Sequence, residues 1–309
     1  MRFLLIGLFI GLLSGVVGLQ AAVITQYSPQ FQPFYNASGK LEIALRSYKK
    51  DGHSFHLAVV TDTLNTREIS DEEFSKLHNK PIPLNCISTT RFMKLLKAST
   101  EAPYPLSNDG ITRSLYPLRG FFLTMDLCPT SKPLVREIIK KLPTSNLPIP
   151  LGVSITGLWV KNHPEDLEWL KKQDQSGHLA ITWINHSYSH PYHHKAVDTD
   201  NFLLTRGTDL NLEVLKAEEK MLENGIVPSV FFRFPGLISS RDLIAKVSAL
   251  HLISLGADAW LAKGKNPSSG SVILVHGTGN EPLGVSKLVH LYPSINASVF
   301  LPLSKLIEP

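Results

Sequence analysis

Gly120-Phe121-Phe122-Leu123-Thr124-Met125-Asp126 is an apolar run that ends on an acid. It lacks the strict alternation of a half-solvated strand, as strands buried on both faces do. Six further β-rich runs follow: Leu151–Thr156, Leu179–Ile184, Ser229–Phe232, Leu252–Gly256, Val272–Val275 and Ala297–Leu301. Helical patterns separate several of them. Pro164–Gln175 follows a cap at Asn162 and ends before Gly177, and Ser240–Leu250 opens at Ser239. Asp209–Asn224 aligns Leu210, Val214, Ala217 and Met221 on one face and stops at Gly225. Gly just past the last periodic residue is the usual stop signal. About seven strands with helices between them predict an α/β fold with a parallel sheet, either a (β/α) barrel or an open doubly wound sheet. No GxGxxG or Walker loop suggests a nucleotide.

Upstream the pattern is different. Residues 22–112 read as a smaller, irregular α+β region. Leu41–Ser47 and Phe55–Thr61 are strands around the turn Lys50-Asp51-Gly52, and Ser70–His78 is a helix opened by a Ser70-x-x-Glu73 capping box. Arg91–Ala98 is a second short helix, and Glu101–Pro117, with three prolines and a glycine, reads as a linker. Met1–Arg2, the apolar Phe3–Leu13 and small residues through Ala21–Ala22 have the layout of a secretory signal peptide, assigned to residues 1–21. Secretion or a periplasmic location follows, with no membrane span after cleavage, since no second apolar run reaches about 18 residues. The main domain is expected over residues 113–309.

The chain has 309 residues, 43% hydrophobic and 18% charged, which excludes disorder, collagen and coiled coil. Its net charge of +5 comes from 31 basic against 26 acidic residues with no like-charge block, so nucleic acid is not implied. Cys86 and Cys128 are two thiols that form one disulfide or remain separate, and they match no Cys-based metal spacing.

Polar residues recur at the ends of the parallel strands, where α/β folds place their working groups. Asp126 ends the first run, and His186 and His190 follow the third. Arg233 ends the fourth, Asp258 and Trp260 follow the fifth, and His276 ends the sixth. His186 and His190 are spaced i, i+4, so a helical turn sets both rings on one face, an arrangement suited to a zinc-class ion. Asp126 is a base or a metal ligand. Arg233, flanked by apolar residues in Phe231-Phe232-Arg233-Phe234-Pro235-Gly236, needs a carboxylate partner, and Asp126 is the obvious one.

In order, these segments resemble the polysaccharide deacetylase family, the NodB-homology domain of carbohydrate esterase type. Thr124-Met125-Asp126-Leu127-Cys128-Pro129 stands where that family has Thr-Phe-Asp-Asp-Gly-Pro. His186-Ser187-Tyr188-Ser189-His190 meets His-Ser/Thr-x-x-His. Arg233-Phe234-Pro235 meets Arg-x-Pro, Asp258-Ala259-Trp260 meets the Asp-Trp motif loosely, and Leu274-Val275-His276 meets Leu-x-His. The resemblance implies a deformed (β/α) barrel and metal-dependent removal of an N-acetyl group from an amino-sugar glycan of peptidoglycan or N-acetylglucosamine type. Carried over by residue, it implies that His186 and His190 hold the metal, zinc first, with cobalt or nickel as alternatives. Asp126, oriented by Arg233, takes the proton from water. His276 protonates the leaving amine, with Asp258 tuning it. The Gly236 backbone N–H helps hold the oxyanion, Pro235 joins the substrate-binding residues, and Trp260 and Leu274 wall the acetyl methyl.

One position departs from that pattern. Leu127 stands where the family has a metal-binding Asp, and a leucine coordinates nothing. Asp126 itself as ligand, Asp198 or Asp200 as replacements, a weak site, and a glycan-binding protein without turnover all remain open. An amidase acting on peptides is a further alternative, because fold does not fix substrate.

Overall fold

Two sheets organise the computed structural model, which describes residues 21–77, 81–143, 148–292 and 299–307. The expected signal peptide lies outside the described residues except for Ala21. The first sheet is antiparallel, in the order β1 (Ile24–Tyr35), β2 (Leu41–Lys50), β3 (His53–Val60) and β4 (Thr66–Ser70). Asp51 and Gly52 both take positive φ, 51° and 83°, which gives the β2–β3 hairpin the two-residue turn whose twist matches its strands. Helices α1 (Asp71–Leu77), α2 (Leu84–Ser88) and α3 (Arg91–Ala98) follow. Ser70 Oγ accepts from the Glu73 amide at 3.2 Å, and Thr90 caps α3 through the Met93 amide.

The second sheet holds seven parallel strands curled into a deformed, open (β/α) barrel. In chain order these are β5 (Phe122–Leu127), β6 (Ile149–Ile155), β7 (Leu179–Asn185), β8 (Phe231–Phe232), β9 (Ile253–Ser254), β10 (Ala259–Trp260) and β11 (Val272–His276). Their spatial order is β10-β11-β5-β6-β7-β8-β9. Helices α4 (Glu137–Lys140), α5 (Gly157–Asn162), α6 (Pro164–Gln175), α7 (Leu210–Glu223), α8 (Arg241–Ala249) and α9 (Pro282–Leu291) cover it. The caps are His163 for α6, Asp209 for α7 and Ser240 for α8, so the expected Asn162 and Ser239 each lie one residue early. The one parallel strand not expected is Ala259–Trp260. The expected Ala297–Leu301 lies partly outside the described residues, and its Phe300 makes only an isolated bridge to Phe121.

Both faces of the central strands are buried, for different purposes. Leu123, Met125 and Leu127 of β5, with Ile273 and Val275 of β11, pack under the helices beside Ile155 and Trp159. The alternate residues Phe122, Val272 and Leu274 join a second cluster with Ile43, Leu45, Phe92 and Leu95 of the N-terminal region. This second cluster thus runs through both regions.

Residues 107–113, within the expected linker Glu101–Pro117, are part of the sheet's closure rather than a free connection. They fill the seam between the barrel's edges. Ile111 pairs with Leu255, the Thr112 carbonyl accepts from the amides of Asp258 and Val272, and Arg113 bridges to Ser271. The close approach needs Gly110, whose φ is 90° and where a Cβ would sit 2.4 Å from the Ser254 carbonyl oxygen. Covering the two short edges removes exposed pairing groups.

A buried ion pair ties the two regions together. Arg46 Nε donates to Glu218 Oε2 at 2.7 Å, each residue being 1% exposed, and Tyr27 Oη donates to the same oxygen at 2.8 Å. Removing one partner strands a buried charge. Glu218→Ala is expected to lower unfolding free energy by about 3–5 kcal/mol in chemical denaturation. A loss under about 1 kcal/mol would show that the pair does not carry this interface.

Candidate active site

Strand register sets the site. His276 pairs with Asp126, Asp126 with Ser154, and one residue further on Ile155 pairs with Asn185 and Asn185 with Phe232. The residues that follow these rungs therefore emerge on one rim. Neighbouring residues in a parallel ladder point the same way, so Asp126 and His276 share a face.

Arg233 organises that face and is fully buried. Its Nη1 donates to Asp126 Oδ1 at 2.7 Å and to Thr124 Oγ1 at 2.8 Å. Its Nη2 donates to the Gly256 carbonyl at 3.1 Å and its Nε to the Leu255 carbonyl at 3.3 Å. Burial alone would raise the Asp126 carboxyl, but Arg233, then His186 and His276, hold it below the usual carboxylate range.

His186 and His190 do not sit on a helical turn. They flank a tight loop in which Ser187 and His190 take positive φ, 68° and 49°. The rings nevertheless meet edge to face, with centroids 4.9 Å apart. Glu213 on α7 pins the loop, accepting from the amides of Tyr188 and Ser189 at 3.0 and 2.8 Å and from Ser189 Oγ at 2.6 Å. Asn185 Oδ1 accepts from the Ser187 amide. Gly157 makes room for the Tyr188 ring, since a Cβ there would lie 2.2 Å from it.

These histidines suit a divalent ion by an observation of their own. His186 Nδ1 lies 2.8 Å from the Arg233 carbonyl oxygen, an acceptor, so Nδ1 is the nitrogen that donates there and Nε2 is the one left facing the rim. That backbone carbonyl is the usual orienting partner of a metal-binding imidazole. Asp126 Oδ2 stands 3.9 Å from His186 Nε2.

Cys128 was outside the expected metal set, and the fold brings it in. The donor atoms of Cys128, His186 and His190 all lie within 4.8 Å of one another, and Sγ is 3.6 Å from His186 Nε2. Burial would raise this thiol, yet His190, His186 and His276 together pull it well below the ordinary thiol range. Cys86 is exposed, and both cysteines are free thiols with no disulfide between them. Asp198 and Asp200 are exposed and outside this cluster.

The partner of His276 is Glu281. His276 Nδ1 lies 2.7 Å from Glu281 Oε2, and Trp260 Nε1 donates to the same oxygen at 2.9 Å. Trp260 lies 5.9 Å from the His276 ring, with Lys263 over its own ring. Asp258, expected to tune His276, instead accepts from Ser271 Oγ at 3.2 Å and lies 3.8 Å from Arg113. Burial pushes its carboxyl up, and those two neighbours offset this only partly. Leu274 shares the His276 face but is buried in the core beneath it. Pro235 and Gly236 form a 3₁₀ turn after β8, with Gly236 pressed against the Phe202 ring. Phe202 in turn touches His190 and Tyr192, which is 58% exposed.

A family model for the RP012 protein N-terminal domain matches residues 25–87. Among solved structures, the chain is similar to a family 4 carbohydrate esterase from Bacillus anthracis, at 17% identity over 72% of this chain and 90% of that one, with a TM-score of 0.44. It is similar at 18% identity to the Bc1960 peptidoglycan N-acetylglucosamine deacetylase, over 63% of this chain and 91% of that one, with a TM-score of 0.48. It is also similar at 12% identity to a family 4 pseudoenzyme from Bacillus anthracis, over 89% and 86% of the two chains, with a TM-score of 0.37.

For His276, burial would lower the imidazole, but Cys128 and Glu281 hold it well above the ordinary histidine range. Removing the Glu281 charge takes away one of the raising influences. In Glu281→Gln, the His276 titration followed by NMR is expected to move to lower pH. An unchanged midpoint would mean that Glu281 does not set it.

Proposed function

We propose that the chain is a divalent-metal-dependent hydrolase that removes N-acetyl groups from an amino-sugar polymer or oligomer, of peptidoglycan or N-acetylglucosamine type. The observation that carries it is the meeting of an ionised carboxylate, two facing imidazoles and a third, carboxylate-paired imidazole on one rim. His186 and His190 hold the ion, zinc first, with cobalt or nickel as alternatives. When bound, that ion supplies Lewis acidity to an acetamide carbonyl and a water.

The chain's own groups divide the proton work. Asp126 has Oδ1 committed to Arg233, so Oδ2 is the free acceptor for a proton from water. His276, its protonated form favoured by Cys128 and Glu281, donates to the departing amine. Its Nδ1 faces Glu281, which leaves Nε2 as the donor. The backbone N–H of Gly236 is the proposed oxyanion donor. Trp260 on one side and Tyr192 over Phe202 on the other offer flat apolar faces to a sugar ring. Secretion belongs to the same proposal and rests on the apolar leader. No helix among the described residues is long and apolar enough to cross a membrane.

Leu127 favours a second reading, a deacetylase-like glycan-binding protein without turnover, because its side chain is buried away from the site. The two separate on one assay. Zinc-loaded protein is expected to release acetate from N-acetylglucosamine oligomers or peptidoglycan. Asp126→Asn and His276→Ala should each reduce kcat by about two to four orders of magnitude. Zinc-loaded protein that binds such glycans, releases no acetate, and binds as well after Asp126→Asn would establish the second reading.

A further inference from the structure

We propose that Cys128 is the third protein ligand of the divalent ion, supplying as a thiolate the vertex that Leu127 cannot. The inference rests on the metal-dependent reading above.

Strand geometry makes the substitution possible. Side chains alternate along β5, so the face that carries Thr124 and Asp126 is continued by Cys128 and not by Leu127. Leu127 is fully buried among Ile155 and Trp159, on the helix side of the sheet. Cys128, the first residue past the strand, reaches the rim where His186 and His190 stand.

The donor separation fits an ion. A tetrahedral zinc with sulfur at about 2.3 Å and nitrogen at about 2.0–2.1 Å keeps those two donors roughly 3.6 Å apart. Cys128 Sγ and His186 Nε2 are 3.6 Å apart, and the His190 donor lies within 4.8 Å of both. The same distance also fits a thiol hydrogen-bonded to His186, which is the rival arrangement.

The assignment resolves the double demand on Asp126. As a ligand, Asp126 would lose its free oxygen, since the other is bound by Arg233. With Cys128 as ligand, Oδ2 stays available as base. One thiolate and two imidazoles are a borderline-to-soft set, which selects zinc or cobalt over magnesium, calcium or manganese.

The test uses the full chain, stripped of metal and reloaded, with Cys86 as an internal reference because it is exposed. Iodoacetamide labelling of each cysteine is followed by mass spectrometry. Saturating zinc is expected to slow labelling of Cys128 at least tenfold and leave Cys86 unchanged. Cobalt loading should give a thiolate-to-metal charge-transfer band in the near ultraviolet in wild type and in Cys86→Ser. The band should vanish in Cys128→Asp, which still binds cobalt. Cobalt bound without that band in wild type, or Cys128 labelled equally with and without bound zinc, overturns the assignment. Metal-dependent acetate release alongside such a result would leave the deacetylase reading standing, whereas protection of Cys128 without acetate release would do the reverse. Absence of any zinc or cobalt binding overturns both.

Discussion

The buried pair between Arg233 and Asp126 is the constraint from which the rest of the site follows. A guanidinium with no solvent exposure must satisfy its donors inside the protein. Arg233 does so on a carboxylate and a hydroxyl of β5 and on two carbonyls just past β9. Those acceptors belong to a central strand and to one edge of an open sheet. The same side chain therefore favours the charged form of the Asp126 carboxyl and fixes the edge of the barrel. Its own backbone carbonyl then sets the tautomer of His186. Three features depend on one residue, which suits a rigid site and makes each feature hard to change separately.

Much of this was legible because the signals are local. Apolar runs bounded by Gly and polar residues placed six of the seven parallel strands, cap residues placed the starts of α1, α6 and α8 to within a residue or two, and an apolar face with its stop glycine placed α7. The missed elements lack such signals. β10 is two residues long and has no period to read. β1 carries Pro29 and Pro33 and is largely solvent-facing, which only an edge strand tolerates. Residues 107–113 have loop composition, and only the gap between β9 and β11 turns them into part of the sheet.

The site shows the same division. Asp126, Arg233, His186, His190 and His276 announce themselves by position at strand ends. Glu281 and Glu213 do not, because each reaches its partner through a loop or helix whose path no spacing encodes. Asp258 was the nearer acid in the motif order, yet the seam residue Arg113 and Ser271 take its carboxylate. Cys128 was readable in principle. The period of two along β5 already puts it on the face of Asp126, at a motif position that glycine, with no side chain, otherwise fills.

The histidine loop shows how such a site holds its shape. Ser187 and His190 occupy left-handed backbone that costs non-glycine residues of order 1 kcal/mol or more each. Three hydrogen bonds to Glu213 and one to Asn185 offset that cost from the protein side. The amides of Gly157 and Leu158, at the start of α5, donate to the carbonyls of Ser187 and Tyr188 and hold the loop from the opposite flank. Strain restrained on both flanks by hydrogen bonds within the protein is preorganisation. These contacts from two elements hold both imidazoles at the rim with their rings edge to face.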